Sequence, residues 1–221
     1  MELTVGSGTS ASGGEFRVMA GRSTLHTGGL VTLVSGEGTS TSSGAVKIRS
    51  TNSGAAGSSG ALYFSTGTSK GGNSGAVFLG SGVATAGRAG AIVVSVGSGT
   101  SGVGGAVLVN AGRGTANTGS AVHVSSGEGT ATSSGAVVIR SLNAGTLGVS
   151  GSLFFSTGSS SSGNTGNVLV GTGAATDGRS GFVMITVGSG TSGAGGSLQG
   201  SGGRSSVNTG GALILASGEG T

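Results

Sequence analysis

A repeat of about 15 residues runs through the sequence and restricts what the chain can fold into. In each repeat a small residue precedes a short apolar cluster. Successive small residues lie 15 positions apart, except for gaps of 16 that follow Gly44 and Gly135. A disordered chain has no reason to keep such a period, so the period predicts an array of similar structural units. These small residues, which define position one of each repeat, are Gly14, Gly29, Gly44, Gly60, Gly75, Gly90, Gly105, Ser120, Gly135, Gly151, Gly166, Gly181, Gly196 and Gly211.

The repeats are themselves grouped into a longer unit of 91 residues. The segment Val5–Ser10 returns as Val96–Ser101 and again as Val187–Ser192. Six repeats make one such block. The two longer repeats, which begin at Gly44 and Gly135, shift the register once in each full block. We therefore predict a single array over residues 1–221. The predicted blocks are roughly 1–91, 92–182 and a partial block at 183–221.

Apolar residues alternate within each repeat at the spacing of a β-strand. Positions three and five hold pairs such as Val46 with Ile48 and Val183 with Ile185. This period of two, with β-branched residues between glycines, indicates a strand. A helix is disfavoured because glycine costs about 1 kcal/mol per helical position relative to alanine. The sequence predicts an all-β fold, a β-solenoid (β-helix) of 14–15 coils with about 15 residues per coil. The glycines are expected at tight corners that need a positive φ.

A charged column at position nine is consistent with coils stacked in register. Arg22 precedes Glu37 by one repeat, and Arg113 precedes Glu128 in the same way. Opposite charges one strand spacing apart are mildly favourable, whereas like charges are unfavourable. These pairs are expected to fix the register and the solubility of the array.

The composition excludes several classes of protein. Pro, Cys and Trp are absent, which excludes collagen, a disulfide framework and a thiolate zinc site. No apolar stretch approaches the length of a membrane helix, so no membrane partner is expected. The basic residues are spread along the chain and aromatic residues are sparse, which argues against a nucleic-acid partner. Carbohydrate binding is disfavoured, because sugar-binding platforms are usually aromatic and only Tyr63 and six Phe are available.

No motif in the sequence carries recognisable catalytic chemistry. The glycine-rich strings Gly97–Gly102 and Gly188–Gly193 fit a nucleotide-loop pattern, but they recur as part of the repeat and precede no predicted helix. His26 and His123 occupy different repeat positions, and the only aspartate is Asp177. We therefore expect no enzyme, no cofactor and no metal site.

A column of threonines at position eleven is the candidate functional surface. Methyl and hydroxyl groups that recur once per coil would form a flat, weakly polar face suited to a periodic partner. The candidate residues are Thr9, Thr24, Thr39, Thr85, Thr100, Thr115, Thr130, Thr176, Thr191 and Thr221.

In these residues, in the Gly-x-Gly-Thr corner and in the alternating Val strand, the chain resembles the repetitive β-solenoid ice-binding (antifreeze) proteins. Members of that family present flat Thr- and Ala-rich faces to ice. The resemblance implies that ordered water over the threonine column matches the ice lattice and anchors the protein to the crystal. It also implies a secreted protein with an ice surface as its partner.

The orientation of the threonine column stays open at this point. The hydroxyls could instead point inward and form a ladder from coil to coil. In that case the outward columns are positions twelve and fourteen. Examples are Ser10 with Ser12, Ser40 with Ser42, and Ala116 with Thr118.

The rival hypothesis is a structural or adhesive extracellular protein that assembles into filaments or stalks. Position four points away from the predicted core yet is often apolar, and an outward apolar stripe usually marks an interface. Self-association along this stripe, or end to end through uncapped coils, is therefore expected. Ice and adhesion targets both imply an extracellular location. The stripe residues are Phe78, Val93, Leu108, Val138, Phe154 and Leu169.

Overall fold

The computed structural model describes residues 2–9 and 12–219, and these residues contain neither a helix nor a strand. Contacts between Cα atoms divide the chain into two units, Met1–Val109 and Asn110–Thr221. The division falls inside the second block of 91 residues. The single array over residues 1–221 stays a prediction.

The prediction of an all-β solenoid, or β-helix, is wrong. Such a fold needs strands whose backbone groups pair from one coil to the next, and no described residue lies in a strand. The backbone hydrogen bonds recorded in the described part of the chain join residues eight or three positions apart, so none pairs residues a full coil apart. The physical reason is that each glycine-rich repeat offers only a few apolar side chains. The burial of so few side chains does not offset the conformational entropy that is lost when a whole coil becomes ordered.

The chain exposes much more surface than a compact protein of its size. Its accessible surface is 21981 Å² for a mass of 20.2 kDa. A compact monomer of this mass exposes about 8,800 Å², and its unfolded chain about 29,000 Å². No apolar or polar side chain of the described residues is buried. The apolar pairs at positions three and five, predicted as a continuous core, therefore do not form one.

Order in each unit comes from a recurring loop. The N–H group at position one donates a hydrogen bond to the carbonyl oxygen at position eight of the preceding repeat, and the chain bends between them at positions eleven to thirteen. We call positions one to eight the arm and positions eleven to thirteen the bend. In the unit Met1–Val109 the donor and acceptor pairs are Gly14 with Gly6, Gly29 with Gly21, and Gly44 with Gly36. In the unit Asn110–Thr221 they are Ser120 with Gly112, Gly135 with Gly127, and Gly211 with Gly203.

The two longer repeats contain a different turn. The N–H of Gly57 donates to the carbonyl oxygen of Gly54 at 3.4 Å, and the N–H of Gly148 donates to that of Gly145 at 3.3 Å. A hydrogen bond between residues three apart is the mark of a β-turn. The extra residue of the longer repeats is therefore taken up by a change of turn.

Some glycines are needed because other atoms of the chain lie close to them, and not because their backbone adopts an unusual conformation. No glycine of the described residues has a positive φ, so the expectation of positive φ at the corners is wrong. A Cβ atom on Gly129 would meet the carbonyl group of Ser133, just after the bend. A Cβ atom on Gly105 would lie 2.6 Å from Cγ1 of Val96 across the base of the loop. Space, and not backbone strain, requires glycine at these two positions.

Candidate functional site

The threonine column marks the bends of the chain. Thr9 lies in a bend, and the other described candidates each begin a three-residue bend and are exposed. Thr221 lies outside the described residues. Each described hydroxyl of the column thus belongs to a bend of its own, and the described residues contain no strands that would stack these bends into a flat face. The residues that begin a bend are Thr24, Thr39, Thr85, Thr100, Thr115, Thr130, Thr176 and Thr191.

The alternative of an inward hydroxyl ladder has no counterpart in the structure. The threonines of the column are exposed, and the side-chain hydrogen bonds recorded for the described residues join none of them to one another. Positions twelve and fourteen are exposed as well, as in Ser40, Ser42, Ala116 and Thr118. Ser12 is exposed, whereas Ser10 lies outside the described residues. Exposure alone therefore does not distinguish the two columns.

Serine at position ten organises several bends, a role that the sequence analysis missed. The backbone N–H at position thirteen donates to the serine Oγ, as His26 does to Ser23 at 2.9 Å. The same bond joins Gly72 to Ser69 at 3.1 Å and Gly163 to Ser160 at 2.9 Å. Serine hydroxyls commonly accept such local bonds in turns. The feature of the sequence that indicates this hydrogen bond is a serine three residues before the last residue of the bend.

Threonine at position seven closes the base of two loops. Thr66 donates from Oγ1 to the carbonyl oxygen of Gly75 at 3.2 Å, and Thr172 donates to that of Gly181 at 3.3 Å. Each bond joins position seven to position one of the next repeat. Hydroxyls at positions seven and ten thus make hydrogen bonds within the loop, whereas no such bond involves a described hydroxyl at position eleven.

Position four is the most exposed part of the apolar cluster. Phe78 is 92% exposed next to Val77 at 54%, and Phe154 is 84% exposed next to Leu153 at 50%. The same contrast holds along the stripe predicted from the sequence. In these repeats position three is thus the least exposed of the apolar positions, although the described residues contain no strand. The stripe residues Phe78, Val93, Leu108, Val138, Phe154 and Leu169 are all exposed.

A solvent-open concavity recurs in each unit, at the same place in the two longer repeats. In the unit Met1–Val109 it is lined by Arg49, Ser50, Thr51 and Asn52. In the unit Asn110–Thr221 it is lined by Arg140, Ser141, Leu142 and Asn143. The two sets lie 91 positions apart, because 140 less 49 is 91. All eight lining residues are exposed.

The described residues lack the features of a metal site and of a helix that crosses a membrane. No group of three or more His, Cys, Asp or Glu residues there could hold a metal ion. The same residues include no helix with the length and apolar character needed to cross a membrane.

Comparison with known proteins finds no match: no family model, no curated protein and no solved structure is similar to this chain. The physical features of the arms, the bends and the two concavities are therefore the basis for any function.

Proposed function

We propose that this chain is a structural, adhesive repeat protein that associates with copies of itself through the apolar clusters of its arms. The observation that carries the proposal is that the described residues bury no apolar side chain. Monomeric soluble proteins rarely expose large contiguous apolar surface, and such surface usually marks an interface. Stripe residues such as Phe78 and Phe154 are then contacts between chains.

The apolar clusters are large enough to drive association. Burial of one Val, Leu, Ile or Phe side chain contributes roughly 1.5–3 kcal/mol. An arm such as Leu153–Phe155 presents three adjacent apolar side chains, all exposed. The apolar burial from several docked arms can therefore offset the conformational entropy that is lost when these segments become ordered.

The partner that fits these arms best is a second copy of the same chain. An apolar cluster recurs in nearly every repeat, so an arm of one copy can meet an arm of the same length and a similar pattern on another. Charge opposes this association only weakly, because the net charge is +4 over 221 residues. An adhesive role would place the chain outside the cell.

Sedimentation velocity over a range of concentrations tests the proposal. The parent chain should form larger species as its concentration rises. A variant with Val93→Ser, Leu108→Ser and Val138→Ser should stay monomeric at concentrations at which the parent associates. A parent chain that remains monomeric at every concentration would contradict the proposal.

The matched control removes comparable apolar surface outside the arm clusters. Val103, Leu147 and Val149 are almost fully exposed, and a triple change of these residues to Ser should leave the association nearly unchanged. Equal loss in both triple variants would show that association is unspecific and that the arm clusters have no special part in it.

Ice binding is the second candidate function. It is supported by the exposed threonine hydroxyls and methyls that begin the bends, together with the sequence resemblance described above. Without stacked coils these groups do not form a preformed lattice match. Adsorption would then require the bends to order at the ice surface, at a cost in conformational entropy.

A further inference from the structure

The two longer repeats differ from the rest in more than length. In most repeats position eight is glycine, but here it is Thr51 or Leu142, and position six is arginine in both. A β-turn follows each segment, at Gly54–Gly57 and at Gly145–Gly148. The concavity lined by Arg49 and its counterpart lined by Arg140 are therefore features that the longer repeat creates once per block.

Seven of the eight residues that line the two concavities carry a hydrogen-bond donor in the side chain, and Leu142 is the exception. Arginine offers five N–H donors in a planar fork that matches carboxylate and other oxyanions, and asparagine and serine add an amide and a hydroxyl. Neither lining set includes an acidic residue. In the first unit the set is Arg49, Ser50 and Asn52, together with Thr51, and in the second Leu142 replaces the threonine.

We propose that these two concavities bind the oxyanion groups, carboxylate or sulfate, of an acidic polysaccharide. A polymer is favoured because a solvent-exposed arginine gains little from a single anion, whereas linked sites raise the avidity of a weak contact. The site recurs at 91 residues, and a polymer with regularly repeated anions can engage both copies. Aromatic side chains are absent from both linings, so recognition rests on charge and hydrogen bonds and not on ring stacking.

Binding of the full chain to immobilised dextran sulfate and to polygalacturonate tests the proposal, with uncharged dextran as the blank. The two anionic polymers distinguish a sulfate from a carboxylate source, and retention of either supports the proposal. The affinity should fall as salt increases, because the contact is between charges. Absence of retention on both anionic polymers at low salt would overturn the proposal. Equal retention on single-stranded DNA would overturn it as well, because the sites would then read charge alone.

A double variant, Arg49→Gln with Arg140→Gln, should lower the affinity about tenfold or more, as expected for loss of hydrogen bonds to charged groups. The matched control is Arg22→Gln with Arg113→Gln, which removes the same charge from a second pair 91 residues apart that lines neither concavity. The control should lose much less affinity. Equal losses would mean that net charge, and not the concavities, holds the polymer.

A third variant keeps every charge. Asn52→Ala with Asn143→Ala removes only the amide donors and should weaken binding about threefold, whereas unchanged affinity would show that the lining does not act as a site. Because the described residues have no core, these exposed changes have no packing to disrupt. The measurement is made on dilute chains, so its outcome is independent of self-association.

Discussion

The amide N–H of Gly135 donates a hydrogen bond of 3.0 Å to the carbonyl oxygen of Gly127. The bond closes a loop whose bend begins at Thr130. Gly129 lies in this loop, and a Cβ atom at this position would meet the carbonyl group of Ser133. The same relationship recurs at Gly36, Gly38 and Ser42, 91 residues earlier, so it belongs to the repeat and not to one place in the chain.

Gly129→Ala is expected to open this loop. The added Cβ meets the carbonyl group of Ser133, which is backbone and cannot rotate away as a side chain can. Loss of one hydrogen bond, at about 1 kcal/mol, corresponds to about fivefold faster exchange of the Gly135 amide proton. Gly127→Ala is the matched control, since nothing lies within 4 Å of a Cβ atom there. Equal exchange rates in the two variants would contradict the close approach at Gly129.

Ser160→Ala is expected to loosen the bend at residues 161–163. The change removes the Oγ that accepts the N–H of Gly163 at 2.9 Å. Exchange of the Gly163 amide should quicken about two- to fivefold, in line with the net contribution of one hydrogen bond. Ser160→Thr keeps the hydroxyl and should restore the parent rate. Ser161→Ala removes a neighbouring hydroxyl without this bond, and a similar effect from that change would exclude the specific role of Ser160.

Heating a dilute solution of the chain should produce no cooperative transition in a calorimeter. Cooperative unfolding of a chain of this length with a packed core absorbs about 150 kcal/mol near 60 °C. The described residues bury no side chain, so there is no packed interior whose loss would absorb that heat. A sharp endotherm of that size at a concentration where the chain is monomeric would refute the absence of a core.

Ice shaping by the purified chain at micromolar concentration tests the second candidate function. If the exposed threonines that begin the bends contact ice, the parent should shape ice crystals and slow their recrystallisation. The triple variant Thr100→Lys, Thr115→Lys and Thr130→Lys should lose this activity, because long charged side chains would hold the bends away from the surface. Retained shaping in the triple variant would move the contact elsewhere, and no shaping by the parent would remove ice binding.

The control for the ice experiment places three lysines in the arms of the same repeats. Ser95, Asn110 and Ser125 all occupy position six and are exposed. Their change to Lys adds the same charge as the bend variant does. Equal loss of activity in both variants would indicate an effect of charge and not of the threonine column.

Part of the local structure was readable from the sequence. The repeat period appears in the structure as bends at the same spacing, and Gly54 and Gly145, in the two longer repeats, begin turns of a different kind. Turn chemistry acts over a few residues, so serine at position ten and glycine at position one can specify a bend by themselves. The same reasoning predicts the role of Ser160 from the sequence.

The alternation of apolar residues was a poorer guide. Val137 and Ile139 carry a strand pattern, yet both are exposed and lie in no strand. An alternating pattern predicts which side chains would share a face if the coils were to stack. It does not state whether the free energy of stacking exceeds the entropy lost in ordering glycine-rich arms.

Residues close together in the chain set where it bends and which side chains lie at each repeat position, so both could be read without coordinates. The three-dimensional structure was needed to show that the described residues bury no apolar side chain, and that Thr115 and Thr130 begin separate bends without any strand beside them. That outcome depends on contacts between distant repeats. Their net free energy is a small difference between apolar burial and conformational entropy, and no local pattern reveals its sign.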